Sequence, residues 1–368
     1  MLGVYIHVPF CLRRCNYCDF CSSVADGGRV EEYVSALVES IGKYAGKNLR
    51  ADTVYLGGGT PSLLSGEQMK KILAAVYKTF DVSDAAEITA EANPGTVTPE
   101  KLRAYREAGV NRISFGIQSC KDNELYRLGR LHSFAEAEES VRTARLAGIK
   151  NVSADIMLGI PKQTTATLAE TVERVAALGV DHISAYMLKI EEGTPFDCES
   201  VRRAAADDDT VADMYLMTVE MLSQRGFMQY EISNFAKPGF ESRHNLKYWN
   251  CEEYLGFGPS AHSYFGGKRF YFPDDISGFI NSPCAEPKTE DASPNRLEEY
   301  IMLGLRLCEG ISLDRVTALG GNAERLLGAA KPYVGAGLAA VSGGRLSLTP
   351  NGFLVSNGII AQLLESVL

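Results

Sequence analysis

No apolar run in the chain approaches the 18 residues that would suggest a membrane span. A basic excess is also missing. Lys and Arg total 37 against 46 Asp and Glu, a net charge of −9, so bulk binding of nucleic acid through phosphate neutralisation is excluded. Nor is there a secretory pattern at the N-terminus. His7 interrupts the short apolar stretch, and Arg13 and Arg14 follow that stretch instead of preceding it. A cytoplasmic location is expected, with membrane contact at most peripheral. Disorder and collagen-like repeats are excluded by 45% hydrophobic and 23% charged residues. The nine cysteines are an odd number and do not read as a disulfide framework in a reducing compartment.

What is present begins with their distribution. Cys11, Cys15, Cys18 and Cys21 share one window of eleven residues. The 368 residues suffice for two domains, or for a barrel-sized domain with an appendage. Strands are expected at Gly3–Pro9, Thr53–Leu56, Ile88–Glu91, Arg112–Ile117, Val152–Leu158 and His182–Leu188. Helical spacing recurs between them, as in Val34, Leu37, Val38 and Ile41 and again in Met69, Ile72, Leu73 and Val76. A phrase of glycine, aliphatic, two polar residues, aliphatic and serine repeats at Gly109–Ser114, Gly148–Ser153 and Gly179–Ser184. Each glycine suits the end of a helix, and the intervals of 39 and 31 residues each fit one βα unit. The expected fold is α/β, a partial (βα)6 TIM-like barrel with functional residues at the C-terminal ends of its strands.

The pattern changes after about residue 190. Arg202–Thr210 reads as a solvated loop or helix start and Asp213–Leu222 as a helix. Phe235–Pro294, rich in Gly, Pro, Asn and aromatics, reads as irregular. Helices near Leu297–Leu307 and Gly352–Val367, with a hairpin turning at Ser342-Gly343-Gly344, suggest a winged-helix-like accessory domain. Residues 290–368 carry 6 basic and 8 acidic residues, which favours a structural or lid role over DNA binding. The organisation expected is a core over 1–232, an irregular connecting segment over 233–295 and an accessory domain over 296–368.

Cys11-x3-Cys15-x2-Cys18 lies just past the first strand. Three thiolates suit a cubane cluster with one iron left open, whereas zinc usually takes four ligands, with Cys21 or His7 as the candidate fourth. Gly57-Gly58-Gly59-Thr60-Pro61 follows the second strand, where glycines let a backbone approach a ligand closely. The cysteine spacing with Tyr17 before the third cysteine, together with this glycine run, resembles the radical S-adenosylmethionine (SAM) superfamily. Tyr5–Cys11, Glu91-Ala92-Asn93-Pro94, Gly116-Ile117-Gln118-Ser119 and Asp155–Pro161 extend the likeness to the oxygen-independent coproporphyrinogen oxidase group. By that resemblance Cys11, Cys15 and Cys18 hold a [4Fe–4S] cluster, and Tyr5, Tyr17, Gly58, Gly59, Thr60, Glu91, Gln118, Arg130 and Asp155 contact SAM. The cluster would take its electron from a low-potential donor and pass it to SAM, giving methionine and a 5′-deoxyadenosyl radical.

Within that group the chain is similar to the heme-chaperone branch. Phe20 stands where the dehydrogenase branch has a fourth cysteine, and Cys21 falls one position later and reads as a non-ligand. His244-Asn245-Leu246-Lys247-Tyr248-Trp249 and Gly256–Ser263 also resemble that branch. The resemblance implies binding of heme and its delivery to heme-accepting proteins. His244 is the candidate axial ligand, Tyr248 and Trp249 offer flat faces to a porphyrin, and His262 competes as ligand. The rival readings are oxidative decarboxylation of coproporphyrinogen III and a structural zinc protein.

Overall fold

The computed structural model describes residues 1–367. Six strands run in parallel and in chain order: β1 (Leu2–Val8), β2 (Arg50–Gly58), β3 (Asp81–Ala92), β4 (Arg112–Gln118), β5 (Asn151–Leu158) and β6 (His182–Met187). Between them lie α1 (Gly27–Gly42), α2 (Gly66–Thr79), α3 (Pro99–Ala108), α4 (Asp122–Leu128), α5 (Phe134–Leu146) and α6 (Thr165–Ala177). This is the expected partial (βα)6 barrel. Every residue of β4 is buried, as befits a central parallel strand covered on both faces. The helices start where their sequences say they should. Ser65, Ser133 and Thr164 form capping boxes with Gln68, Glu136 and Thr167. The repeated glycines close α3, α5 and α6, with φ of +118° at Gly109, +86° at Gly148 and +76° at Gly179.

After β6 the chain forms α7 (Glu199–Ala204) and α8 (Asp208–Gln224), divided within the segment read as a loop or helix start. Asp207 caps α8 by accepting from the Thr210 N–H. The stretch expected to be irregular is more ordered than that. The short pair β7 (Met228–Gln229) and β8 (Asn234–Ala236) joins the sheet beside β6. Then come α9 (Arg243–Trp249), β9 (Tyr254–Phe257), β10 (His262–Phe265), β11 (Lys268–Tyr271), α10 (Ile276–Asn281) and β12 (Lys288–Asp291). These strands are two to four residues long, too short to print a period-two pattern on the sequence. What forms them is the free edge of β1, against which β9 pairs in parallel and β10–β12 build outward.

The C-terminal part holds α11 (Arg296–Gly304), β13 (Ile311–Ser312), α12 (Leu313–Ala318), α13 (Ala323–Gly335), β14 (Ala339–Ser342), β15 (Arg345–Leu348), α14 (Pro350–Leu354) and α15 (Ser356–Val367). The hairpin turns at Gly343-Gly344 as expected, and β13 completes a three-stranded sheet. The last helix is broken at Val355 instead of running on from Gly352. Leu297, Ile301, Leu326, Phe353 and Ile360 share one continuous core with the barrel side of α8, including Met214 and Leu222.

Candidate functional site

The cysteine segment is tied at its base by backbone pairing. Gly59 N–H donates to the Val8 carbonyl (2.9 Å) and Thr60 N–H to the Phe10 carbonyl (2.7 Å), extending the β1–β2 ladder past the ends of the strands. Phe10–Cys11 then pairs with Ser23–Val24, so the other three cysteines of the window lie on one closed excursion. Further on, Asn16 N–H donates to the Leu128 carbonyl, and Tyr17 packs near Phe196.

This explains the glycine run. A Cβ on Gly59 would stand 2.7 Å from the Phe10 carbonyl oxygen and 2.9 Å from that of Val8. Gly58 has φ +103°, and a Cβ there would meet the His7 ring.

Cys11, Cys15 and Cys18 are partly exposed and carry no disulfide. Thr60 Oγ1 donates to Cys11 Sγ (3.4 Å) and Arg130 Nη1 to Cys15 Sγ (3.5 Å). Asn93 links the two donors, giving its Nδ2 proton to Thr60 Oγ1 (2.9 Å) and accepting from Arg130 Nη2 on Oδ1 (2.5 Å). Hydrogen bonds to sulfur of this kind tune an iron–sulfur cluster. Burial pushes the Cys18 thiol up to about 11, and the neighbouring Cys15 and Cys11 add to the shift.

Among the described residues no three His, Cys, Asp or Glu side chains are arranged to hold a single metal ion. A zinc site lacks its fourth ligand. Cys21 is buried beside Asp274, and burial together with that carboxylate pushes its thiol up to about 12. His7 has both ring nitrogens engaged, with the Tyr5 hydroxyl (3.0 Å) and the Cys21 carbonyl (2.9 Å). Three thiols, two of them met by sulfur-directed donors, with no fourth ligand fit a cubane better than a closed tetrahedral ion.

The remaining candidate residues converge on the same end of the barrel. Glu91 closes β3, accepting from Tyr55 OH on Oε1 (2.7 Å) and from Gly58 N–H on Oε2 (3.2 Å). Burial raises its carboxyl to about 7 despite the Tyr55 bond, and nearby Asp155 contributes. Asp155 accepts from Ser114 Oγ (3.2 Å) and is also raised by burial, with Arg112 and Arg130 opposing.

Gln118 sits at an irregularity in the β4–β5 register with φ +69°, a strained value for a non-glycine residue. Its Oε1 is buried without a hydrogen-bond partner, an acceptor suited to a ligand proton. Arg130 is held by the Gly116 carbonyl (2.6 Å). Two functional neighbours escaped the sequence reading. Asn93 was visible inside Glu91-Ala92-Asn93-Pro94 but had no role until it bridged Thr60 and Arg130. Tyr55 had no signal beyond its place opposite Tyr5 in the β1–β2 register.

His244 is placed differently from the expectation. Its side chain is fully buried, with Nδ1 hydrogen-bonded to Thr53 Oγ1 (2.8 Å) and Nε2 to Tyr248 OH (2.7 Å). Its ring stacks on Tyr55 at 5.2 Å, and burial lowers its pKa to about 3. The N–H groups of Arg243 and His244 donate to the Glu87 carboxylate, and Lys247 Nζ holds the Met1 carbonyl (2.9 Å). The first turns of α9 therefore plug the barrel against β1, β2 and β3. With both ring nitrogens hydrogen-bonded inside the protein, His244 sits here as a fastener, and ligation of heme iron through it would require breaking one of these bonds.

The competing histidine faces an opening. A cleft of about 520 Å³ beside the cysteine segment is lined by Tyr5, Phe20, Cys21, Tyr248, Tyr254 and His262, among others. Of the two aromatics expected to face a porphyrin, Tyr248 lines this cleft and Trp249 does not.

Barrel, cysteine segment and glycine run together define the class, a radical SAM protein. Residues 5–175 match the radical SAM superfamily and residues 292–355 the HemN C-terminal domain. The structure is similar to that of coproporphyrinogen III oxidase (HemN) from Escherichia coli, a radical SAM enzyme, with a TM-score of 0.84. At 21% identity over 98% of this chain and 89% of that one, this is a likeness of fold. Heme chaperone HemW of Bacillus subtilis is 38% identical, with 86% of each chain covered. That of Mycobacterium tuberculosis is 37% identical over 98% of this chain and 94% of its own. Heme chaperone HemW of Escherichia coli is 36% identical over 84% and 83%. The chain belongs to the HemW family. Its radical SAM domain implies a [4Fe–4S] cluster and SAM as cofactors. No helix among the described residues is long and apolar enough to cross a membrane.

Proposed function

We propose that this protein is a radical SAM heme chaperone, which binds heme and delivers it to acceptor proteins in the cytoplasm or at the membrane surface. In this reading Cys11, Cys15 and Cys18 hold the cluster. Thr60 and Arg130, linked by Asn93, steady two of its sulfurs. Tyr5, Tyr17, Gly58, Gly59, Thr60, Glu91, Gln118, Arg130 and Asp155 seat SAM. Glu91, with its carboxyl near 7, suits a hydrogen bond to a ligand hydroxyl in either protonation state. The free Gln118 Oε1 suits a donor on the same ligand. When bound and reduced by a low-potential donor, the cluster supplies one electron for cleavage of SAM.

The observation that carries the chaperone reading is the family likeness over most of the chain, together with an aromatic cleft opening beside the cysteine segment. Oxidative decarboxylation of coproporphyrinogen III is the second reading, favoured by the HemN-like fold. It is weakened by Phe20, 61% exposed, at the position of that branch's fourth cysteine.

An anaerobic assay of cluster-reconstituted protein separates them. Protein incubated with SAM, reductant and coproporphyrinogen III should yield no decarboxylated product by mass spectrometry, while hemin-loaded protein should transfer heme to an apo-cytochrome. Formation of the divinyl porphyrinogen would make the protein a dehydrogenase.

A further inference from the structure

Resting on the heme-binding reading, we propose that His262 is the axial ligand to heme iron in the cleft beside the cysteine segment, with Glu290 orienting its ring. The chain has five histidines. Four are buried and hydrogen-bonded within the protein: His7 to Tyr5 and Cys21, His132 to the Ile117 carbonyl, His182 to Ser153 and Tyr230, and His244 to Thr53 and Tyr248. His262 alone is exposed, with half its side-chain surface open, and it lines the cleft.

Its surroundings prepare it for a metal. Nδ1 lies 3.3 Å from Glu290 Oε2, so the carboxylate selects the tautomer with its proton on Nδ1 and leaves the Nε2 lone pair free. A carboxylate behind a ligating imidazole also fixes the orientation of its ring. The ring stacks on Tyr271 at 5.2 Å and 17°, which restricts its rotation. The segment that presents it is held at a fixed depth. A Cβ on Gly258 would stand 2.6 Å from the His7 carbonyl, and Ser260, itself on the cleft wall, has φ +61°.

The cleft suits the rest of the ligand. Its volume of about 520 Å³ falls within the roughly 300–1,000 Å³ usual for organic ligands. Tyr248, Tyr254 and Phe20 supply ring faces and edges for a flat macrocycle, while Tyr5, Gly58 and Glu91, which line the same cleft, belong to the SAM seat, so the two ligands would lie side by side. Asp19, Asp274 and Glu91 also line it and disfavour carboxylates, which would turn the propionate edge of heme toward solvent. Cys21 lines the same cleft, but its buried thiol sits against Asp274.

The test is a hemin titration of the full-length, cluster-reconstituted protein, read by the Soret band and by resonance Raman of the ferrous form. Wild type should show an iron–histidine stretch. His262→Ala should lose that stretch and bind hemin at least tenfold more weakly, with cluster iron and sulfide unchanged. His262→Gly should regain the stretch on addition of imidazole, which separates lost ligation from misfolding. Glu290→Gln should keep hemin bound and shift the stretch to lower frequency. Persistence of the iron–histidine stretch in His262→Ala overturns the assignment, as does a thiolate-ligated spectrum in wild type. Wild type that binds no hemin defeats the heme-binding reading itself, a different failure.

Discussion

Two histidines of similar sequence surroundings, His244 and His262, have opposite chemistry because burial and hydrogen bonding differ. His244 is a neutral fastener between α9 and β2, whereas His262 keeps a free nitrogen at the mouth of a cleft. Removing the first leaves Thr53 and Tyr248 without their partner and opens a void. His244→Ala should therefore cost about 2–4 kcal/mol of stability while leaving the hemin spectrum unchanged, read by thermal unfolding and by titration. His244 also imposes a pH dependence. Its pKa falls from 6.5 in the unfolded chain to about 3 in the fold, so below pH 6.5 the unfolded state binds the extra proton. Its contribution is complete above 6.5 and is lost progressively as pH falls toward 3; an unfolding series over that range with His244→Phe as control should show the smaller slope in the variant.

At the scale of elements, the cysteine segment and the glycine run form one unit, because Gly59 and Thr60 donate their N–H groups to the strand that leads into Cys11. The glycines are required first by this close approach of two backbones, before any ligand is considered. Gly59→Ala places a methyl group against two carbonyl oxygens that have no flexible side chain to move aside. The variant should take up at most a small fraction of wild-type iron and sulfide on reconstitution while keeping its far-ultraviolet circular dichroism. Normal cluster content would show that the loop tolerates the displacement. The same logic places Asn93, whose two hydrogen bonds join a strand-end threonine to an arginine beyond α4.

Over the whole molecule, the C-terminal part is joined to the barrel through a buried seam. Glu231 pairs with Leu307 in an isolated bridge, Ile232 N–H donates to the Arg306 carbonyl and Cys308 N–H to the Tyr230 carbonyl. Glu231 is fully buried within that seam, and neither of its oxygens has a hydrogen bond of good geometry, although Ser233 and Asn234 lie near. Burial raises its carboxyl from 4.5 to about 7. The unfolded chain ionises first, so the seam is strongest below pH 4.5 and weakens as pH rises through 7. Glu231→Gln should raise stability at pH 8 by on the order of 2–3 kcal/mol and make little difference near pH 4.5, by thermal unfolding at the two values. Equal gains at both would assign the effect to packing instead of ionisation.

The amino-acid sequence by itself determined the barrel and marked the cysteines proposed to hold the cluster. Strands such as Val152–Leu158 carry continuous apolar runs, helices carry caps at Ser65, Ser133 and Thr164, and three cysteines within eight residues declare a shared centre, all of them local patterns. Tertiary structure decided everything that depends on partners distant in the chain. The edge strands β9–β12 exist because β1 offers an unpaired edge some 250 residues earlier, and no local periodicity announces them. Trp249 and Tyr248 are adjacent in sequence, yet only Tyr248 reaches the cleft. His244 and His262 each sit among aromatics, and only the fold reveals that Thr53 and Tyr248 occupy both nitrogens of one while Glu290 takes a single nitrogen of the other. Ligand capacity is a property of what surrounds a side chain, and those surroundings are assembled by folding.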